Sequence, residues 1–389
     1  MTMARILIGL YNGLYSEETP LKFACWYDGL IRGLSDGNEL YIWQIKEFGK
    51  KETFFSEEDK EKIRAFSPDL ALSFNNVLPK LGGVADCPEI VIIVDSLAYI
   101  TNKSYLIQND HLIIGSFQET DLRYLSDAGI DRNRLFISQP YTAIKPDDSV
   151  KPDTNIAFIG SRFGVPANAE VKNLSEQGSE VIRKYGECLA YATTHPLADK
   201  DTLINDCNVM DPWLQERINV PDMVSLLSAE KRVRLLSAIV DLGLSLYGTR
   251  TWLTKYHYDS RLNLAFVDEE VWTVEENQNI YNHAKIGINV SHVQALDGFP
   301  WRILDILSSN ACLVSDYHSG FSKVLEGCYF PTYRDPFEAR DLCKWLLRDE
   351  TARKQIVREC NRFVSEHFTL DLFLEQLEEL SSVKLRRQN

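Results

Sequence analysis

The residues with the clearest chemical potential lie in one stretch of the chain, positions 297–320. Asp297 stands beside Gly298 in a predicted loop, and Asp305 lies on the apolar segment 303–307, which is predicted to be a helix. Arg302 falls in the first turn of that helix, where the helix dipole and a guanidinium can bind the same phosphate. Asp305, one turn further along, is placed to accept hydrogen bonds from both hydroxyls of a ribose. The stretch therefore predicts a site for a nucleotide diphosphate.

A purely structural interpretation of the same residues is also open. Asp297 could be a solvent-facing loop residue, and Asp305 could pair with Arg302 three positions earlier on the helix. The order of loop glycine, arginine, aspartate, helix and buried strand (311–314) favours the binding site. The planar fork of Arg302 suits bidentate contact with a phosphate.

Three other loops that follow predicted strands supply further candidates. They contain Gly160, Ser161 and Arg162; Tyr247, Gly248 and Thr249; and Ser291 and His292. A glycine after a strand lets backbone N–H groups approach a phosphate, and Arg162 would offset the charge on a departing diphosphate. The loop at Tyr247 could equally be a simple tight turn, and His292 could simply cap its loop.

Asp95 is the acid–base candidate in the N-terminal half. It ends a β-branched run, 90–94, and a carboxylate there is costly unless it has a partner or a task. Capping of a following helix is the alternative role. The first loop, with Gly9, Asn12 and Gly13, is expected at the same edge of the sheet as Asp95.

The sequence contains no pattern typical of a metal site. It has no H-E-x-x-H segment, and its one Asp-x-Asp sequence, at 199–201, lies in a stretch predicted to be mainly helical and not in a loop after a strand, where such a motif would hold a divalent ion against a sugar nucleotide. We therefore expect no metal and no cofactor. Protein cations would neutralise the diphosphate. The eight cysteines form no C-x-x-C pair and are predicted to be reduced and mostly buried.

Composition excludes several classes of protein. The net charge is −14 over 389 residues, whereas general nucleic-acid binding needs a basic surface. No apolar run is long enough for a transmembrane helix. The first ten residues are predicted to be a buried strand and not a signal peptide. These features predict a cytoplasmic protein, with peripheral contact at the inner face of the membrane left open.

The pattern of short apolar runs and amphipathic segments predicts two α/β domains with parallel sheets. The first covers 1–145 and the second 155–370, with a helix and tail at 371–389. A polar, proline-containing linker at 143–154 separates them. The strands predicted for the second domain are 156–159, 244–247, 264–267, 286–290 and 312–315, and helices are predicted over 336–380.

Residues 297–305 resemble the donor-site motif of GT-B glycosyltransferases of the retaining, group-1 type. That motif has a glutamate, Gly-Phe and five further residues, then a second glutamate. Here Asp297, Gly298, Phe299 and Asp305 take the corresponding places. Pro300 and Asn310 stand where the family usually has glycine. The segment 301–305 also resembles the Arg-x-x-Glu form of CgeB-like glycosyltransferases, as do residues 281–291 and 364–369.

The resemblance implies two doubly wound, Rossmann-like domains facing a cleft, the GT-B fold. It implies transfer of a sugar from a nucleotide-diphosphate sugar to a hydroxyl of a carbohydrate or glycoconjugate, as in bacterial-type polysaccharide biosynthesis. In that fold the loop at Tyr247 borders the base and the last helix returns to the N-terminal domain. Asp95, Asp297 and Arg302 are the predicted catalytic residues.

Two other functions remain open from the sequence within this fold. One is a catalytically inactive protein that binds sugar nucleotides, suggested by the aspartates and Pro300. The other is a sugar-nucleotide epimerase, which needs further acid–base carboxylates. A third class, a sugar-binding protein without catalysis, is usually exported, and no export signal is apparent.

Overall fold

The computed structural model describes residues 3–11, 22–45, 53–95, 103–163, 172, 176, 178–195, 198, 200–207, 220–253 and 259–385. The chain forms two compact units. One comprises Met1–Ala143, Trp272–Val274 and His367–Asn389, and the other Ile144–Val271 and Glu275–Glu366.

The first unit is built on a six-stranded parallel sheet. Its strands are β1 (Arg5–Tyr11), β2 (Glu39–Ile45), β3 (Leu70–Phe74), β4 (Glu89–Ile93), β5 (Leu112–Ser116) and β6 (Leu135–Ile137), in the spatial order β2-β1-β3-β4-β5-β6. The helices between them are α1 (Cys25–Ser35), α2 (Glu57–Phe66), α3 (Lys103–Gln108) and α4 (Glu119–Asp127). Every residue of β3 and β4 is buried, as expected when helices cover both faces of a parallel sheet.

The second unit has a five-stranded parallel sheet. Its strands are β7 (Thr154–Ile159), β8 (Leu244–Tyr247), β9 (Ala284–Asn289), β10 (Cys312–Asp316) and β11 (Thr332–Tyr333), in the order β11-β10-β9-β7-β8. The described helices are α5 (Ser179–Thr194), α6 (Lys200–Asp206), α7 (Val220–Ile239), α8 (Arg261–Ala265), α9 (Val274–His283), α10 (Arg302–Leu307), α11 (Phe321–Val324), α12 (Pro336–Arg348) and α13 (Glu350–His367).

Both sheets share the doubly wound connectivity that the sequence predicted. In each, the first strand lies between the second and the third, so successive connections run to opposite sides of it. Ligands of open α/β sheets bind beyond the carboxyl ends of the strands at this switch point. In the second unit the switch point lies between β7 and β9. A ligand is therefore expected beside the residues that follow Ile159 and Asn289.

Local sequence explains how helices meet the second sheet. Asp335 accepts hydrogen bonds from the N–H groups of Phe337 and Glu338, and Pro336 occupies the first helical position, so α12 begins there. Helix α10 packs closely on β9 because Gly287 has no side chain. A Cβ atom at Gly287 would lie 2.6 Å from Ile306 Cγ2.

The last helix, α14 (Leu370–Ser381), belongs to the first unit, and Thr369 caps it. Phe373 packs edge-on against Trp26 at 5.7 Å and lies 4.9 Å from the ring of Tyr141. The Tyr141 hydroxyl donates to the carbonyl of Trp26. Aromatic burial thus joins the end of the chain to helix α1.

The strand predicted at 264–267 is wrong. Residues Arg261–Ala265 form helix α8, and only Phe266 makes a single parallel bridge, to Leu246. Asp259 accepts a hydrogen bond from the N–H of Arg261 at 3.1 Å, which favours a helical start. Leu262 is fully buried while Leu264 is 86% exposed, so the apolar run does not face the core.

Asn310, which stands where the resembling family usually has glycine, uses its side chain to bind the linker. Its amide donates to the carbonyl of Asp147 at 2.7 Å and accepts from the Asp147 N–H at 3.1 Å. These bonds fasten the linker to the second unit. Six of the eight cysteines are buried, as predicted. No helix in the described part of the chain is long and apolar enough to cross a membrane.

Candidate functional site

Cationic side chains gather at the switch point of the second sheet. Arg302, at the start of α10, donates from Nη1 to Asn289 Oδ1 at 3.2 Å, and its guanidinium lies 5.0 Å from the ring of Phe158. Gly160 leaves room for it, because a Cβ atom there would lie 2.8 Å from Arg302 Nη2. Arg302 therefore faces the loop after β7 and forms no ion pair with Asp297 or Asp305 among the described residues.

A buried polar network holds Arg302's partner in place. Asn289 donates to Ser291 Oγ, Ser315 Oγ and Asp316 Oδ1 at 3.0–3.1 Å. The Asp316 carboxylate, which is fully buried, also accepts from the Ser291 N–H at 3.1 Å and from Lys231 Nζ at 2.6 Å. Because the side-chain NH2 group of Asn289 donates to these three acceptors, its side-chain oxygen Oδ1 points towards Arg302.

Electrostatics keep Asp316 ionised. Burial alone would raise its pKa, but Lys231, His318 and the hydrogen bonds from Lys231 and Ser291 together lower the pKa below the ordinary aspartate value. The network therefore carries one negative charge and one ammonium group at neutral pH.

Two further guanidiniums are buried close by. Arg162 is 8% exposed and Arg232 4% exposed. Arg232 donates to the carbonyl of Ser161 at 2.6 Å and lies 4.2 Å from the ring of Phe163. Burial, and then the charge of Arg302, lower the pKa of Arg232, while burial lowers that of Arg162. Within the described structure, Nε and Nη1 of Arg162 and Nε of Arg232 have no hydrogen-bond acceptor.

The loop after β8 packs directly against the loop after β7. The Gly160 N–H donates to the Tyr247 carbonyl at 2.9 Å, and Trp252 Nε1 donates to the Gly160 carbonyl at 2.7 Å. Gly248 has φ +131°, and a Cβ atom there would lie 2.6 Å from the Gly160 oxygen, so glycine is required. The Thr249 and Thr251 hydroxyls bond to each other at 2.6 Å, and Thr251 accepts from the Arg162 N–H at 3.4 Å.

His292 is a neutral hydrogen-bonding group in this environment. Burial, followed by the charges of Arg232 and Lys231, lowers the pKa of His292 to about 3. Its Nδ1 accepts from the Gln294 N–H at 3.2 Å, so the proton of the neutral ring is assigned to Nε2. The ring stands edge-on to Phe163 at 4.9 Å.

The predicted donor loop is held by the glycine at position 320. A Cβ atom at Gly320 would lie 2.1 Å from the carbonyl oxygen of Asp297 and 3.4 Å from the Gly298 nitrogen. Phe299 packs on Phe321 at 5.9 Å. Asp305 is 8% exposed within α10. The structure thus places Asp297, Gly298 and Phe299 against the segment that follows β10.

Asp95 lies in the first unit, beyond the end of β4. Asn75, in the left-handed region with φ 52°, donates from its amide to Asp95 Oδ2 at 2.8 Å and accepts from the Asp95 N–H at 3.2 Å. Asn12 and Gly13, expected in the first loop, fall outside the described residues.

Sequence reasoning missed four members of this cluster: Lys231, Arg232, Asn289 and Asp316. Asp316 ends the buried run Cys312–Asp316, which is the same signal that selected Asp95. Lys231 and Arg232 lie in the interior of helix α7, where a basic pair is ordinary and no local pattern marks it. In the described part of the chain, no group of three or more His, Cys, Asp or Glu residues could hold a metal ion.

A family model matches part of the chain. Residues 231–379 match the family model described as glycosyl transferase-like. No curated protein sequence matches the chain.

Two solved structures share the whole fold. T4 phage BGT in complex with its UDP-glucose substrate aligns with a TM-score of 0.52 and 9% identity over 97% of this chain and 100% of that one. An alpha-glucosyltransferase in complex with UDP-glucose and DNA containing an abasic site aligns with a TM-score of 0.51 and 10% identity over 98% and 100%. The chain therefore has the two-domain α/β fold of GT-B glycosyltransferases, as predicted.

Proposed function

We propose that the protein is a glycosyltransferase that moves a sugar from a nucleotide-diphosphate sugar to a hydroxyl of a carbohydrate or glycoconjugate. One observation carries the proposal: the buried guanidiniums of Arg162 and Arg232 retain N–H donors that have no acceptor among the described residues, beside Arg302 at the switch point of the second sheet. Buried cations that lack partners are costly unless an anion completes the site. A diphosphate supplies acceptors for several donors at once.

The proposed roles follow from the placement of each group. Arg302 and Arg162 bind the diphosphate, and Gly160 and Ser161 let the backbone approach it. Asp305 accepts the ribose hydroxyls. Tyr247, Gly248 and Thr249 border the base. Ser291, His292, Gly298 and Phe299 complete the donor site. Asp297 faces the donor sugar, and Asp95 serves the acceptor as acid or base.

The proposed chemistry needs no divalent ion, because the protein itself supplies four cations: Arg162, Lys231, Arg232 and Arg302. As the glycosidic bond breaks, negative charge grows on the diphosphate, and fixed cations stabilise it without reorganisation. The spacing of Asp297 and Asp305, which equals that of the motif's two glutamates, supports a retaining-type, group-1 or CgeB-like donor site. We also propose that the enzyme acts in the cytoplasm, on a glycan or glycoconjugate.

The decisive experiment is a calorimetric titration of the protein with UDP, GDP, TDP and ADP, followed by a donor-hydrolysis assay with the matching nucleotide sugars. Asp305→Ala should weaken binding of the preferred nucleotide by about 2–4 kcal/mol, the loss of two charge-assisted hydrogen bonds. Arg358→Ala, on the exposed side of α13, is the control and should bind normally.

The outcomes separate the candidate functions. Binding with hydrolysis supports the transferase. Binding without turnover supports an inactive sugar-nucleotide-binding protein, and conversion of the donor sugar without transfer supports an epimerase. Absence of binding to all four nucleotides would refute the proposed donor site.

A further inference from the structure

The second unit contains a cavity beside the cluster around Arg302, and Lys231 belongs to both. It lies between helices α5 and α7 and the turn from β11 into α12 and has a volume of about 50 Å³. That is room for about four water molecules, or for the side chain of a small organic ligand. Its lining contains no residue that the proposed donor site uses except Lys231.

The walls of the cavity are mainly apolar. Leu227 and Val293 are buried, and Leu189 packs against the same cluster. Ala192 and Pro336 complete the surface without adding bulk. A short aliphatic side chain seated here would lose its contact with water at no cost in unsatisfied polar groups.

Two charged side chains in the lining have unusual surroundings. Glu230 and Arg234 stand four residues apart on α7, a spacing at which opposite charges usually pair. Both are half-buried, yet neither has a hydrogen bond or ion pair from its side chain among the residues that the structure describes. The cavity thus carries a carboxylate and a guanidinium that form no hydrogen bond or ion pair with the described part of the chain.

Two other charges of the lining are already engaged, and a third, Arg334, is exposed. Lys231 Nζ binds Asp316 at 2.6 Å. The Asp335 carboxylate caps α12 through the N–H groups of Phe337 and Glu338. A dianion such as a phosphate monoester would meet the carboxylates of Glu230 and Asp335. Among the described residues of the lining, Arg234 is the half-buried cation without an ion pair, so the lining disfavours a dianion.

We propose that this cavity binds a small zwitterion with an aliphatic body, of which a free α-amino acid with a branched side chain is the representative. Its carboxylate bonds bidentately to Arg234, and its ammonium group bonds to Glu230. Its side chain fills the apolar cavity. Each charge then gains a hydrogen-bonded partner that the described residues do not supply. This site is independent of the proposed donor site and does not rest on it.

The test is calorimetry of the full chain with L-valine, with isovalerate, which lacks the ammonium group, and with isobutylamine, which lacks the carboxylate. L-valine should bind at least tenfold more tightly than either analogue. Isovalerate binding as tightly as L-valine would overturn the zwitterion and indicate a simple anion site. Absence of L-valine binding would overturn the proposal itself.

Variants locate the binding. Arg234→Gln and Glu230→Gln should each weaken L-valine binding at least tenfold. Ala192→Leu, which fills the cavity without changing a charge, should do the same. Arg358→Gln, exposed on α13, should bind normally. Circular dichroism establishes that each variant is folded, and unchanged L-valine affinity in folded Arg234→Gln and Ala192→Leu would place the ligand elsewhere.

Discussion

At the scale of single residues, Arg302 owes its position to Asn289 and to the face of Phe158. In the proposed reaction its guanidinium stabilises charge that appears only as the diphosphate departs. Arg302→Ala should therefore lower kcat by about 10²–10³ while changing KM much less. Arg302→Lys should recover only part of the loss, because an ammonium group does not bind bidentately. Steady-state kinetics decide: a near-normal kcat for Arg302→Ala would mean that the charge is stabilised by other groups.

Asp316 has a structural role that can be measured without a substrate. Asp316→Ala leaves the Lys231 ammonium and several hydrogen-bond donors without their acceptor in a buried place. We expect a loss of about 3–5 kcal/mol in the free energy of unfolding, measured with denaturant. The control is Asp241→Ala, which breaks a partly exposed pair with Arg340 and should cost about 0–1 kcal/mol. Equal losses for both variants would contradict the role of the buried network.

Glu89 gives the first unit a pH-dependent stability. It is 5% exposed, and burial raises its pKa from 4.5 to about 7, while the hydrogen bond from the Tyr105 hydroxyl acts in the opposite direction. The carboxyl is protonated more readily in the folded state, so stability should fall as the pH rises from about 4.5 through about 7. Between pH 4.5 and pH 7 the free energy of unfolding of Glu89→Gln should fall by roughly 2–4 kcal/mol less than that of the wild type.

Denaturant unfolding at several pH values tests this expectation. Glu61→Gln, on the exposed surface of α2, is the matched control and should leave the pH profile unchanged. A Glu89→Gln variant with the same pH dependence as the wild type would show that Glu89 ionises normally.

At the scale of elements, the predicted donor loop at Asp297 and Gly298 lies in close contact with the backbone at Gly320. Gly320 has φ −62°, which any residue adopts, so the obstacle to a side chain is steric alone. A Cβ atom would lie 2.1 Å from the Asp297 oxygen, and backbone cannot rotate away as a side chain can. Gly320→Ala should cost about 1–3 kcal/mol of stability and weaken nucleotide binding.

The same helix-rich unit supplies the control. Gly186 lies within α5, and a Cβ atom there would meet nothing within 4 Å. Gly186→Ala should stabilise the protein by up to about 1 kcal/mol in thermal unfolding. If both alanine variants behave alike, the contact between Gly320 and the donor loop has no energetic weight.

The elements also show what a sequence can reveal. Buried strands such as β4 and β10 consist largely of apolar residues, so a sequence reveals them. Ligand-binding residues of parallel sheets follow the carboxyl ends of the strands, so the positions of Gly160, Arg162 and Ser291 at that edge could be predicted. Lys231 and Arg232 were not, because their task depends on how α7 packs over Phe158 and Asp316, which no local pattern encodes. The strand prediction at 264–267 was wrong for a related reason. Four apolar residues fit a strand or a helix, and the hydrogen bond from the Arg261 N–H to Asp259 favours the helix.

At the scale of the whole molecule, a chain with a net charge of −14 concentrates cations at one edge of one sheet. Arg162, Lys231, Arg232 and Arg302 converge there, and Asp316 is the carboxylate bonded within the cluster. An acidic surface repels polyanions in general, while a local cationic site selects a small one that carries the complementary charge. This distribution fits a nucleotide diphosphate better than a nucleic acid.

The same charge distribution leads to an expectation about metals. In a site where a divalent ion holds the diphosphate, chelation removes the charge that stabilises the departing group. In the proposed site fixed guanidiniums take that role, so donor hydrolysis and transfer should persist in excess EDTA with kcat and KM essentially unchanged. The assay should use the nucleotide sugar selected by the binding titration, with EDTA added before the donor and a known metal-dependent transferase as a control for chelation. Loss of turnover that Mn²⁺ or Mg²⁺ restores would show that the cationic cluster does not suffice, and Arg302→Ala would then be expected to affect binding more than the chemical step.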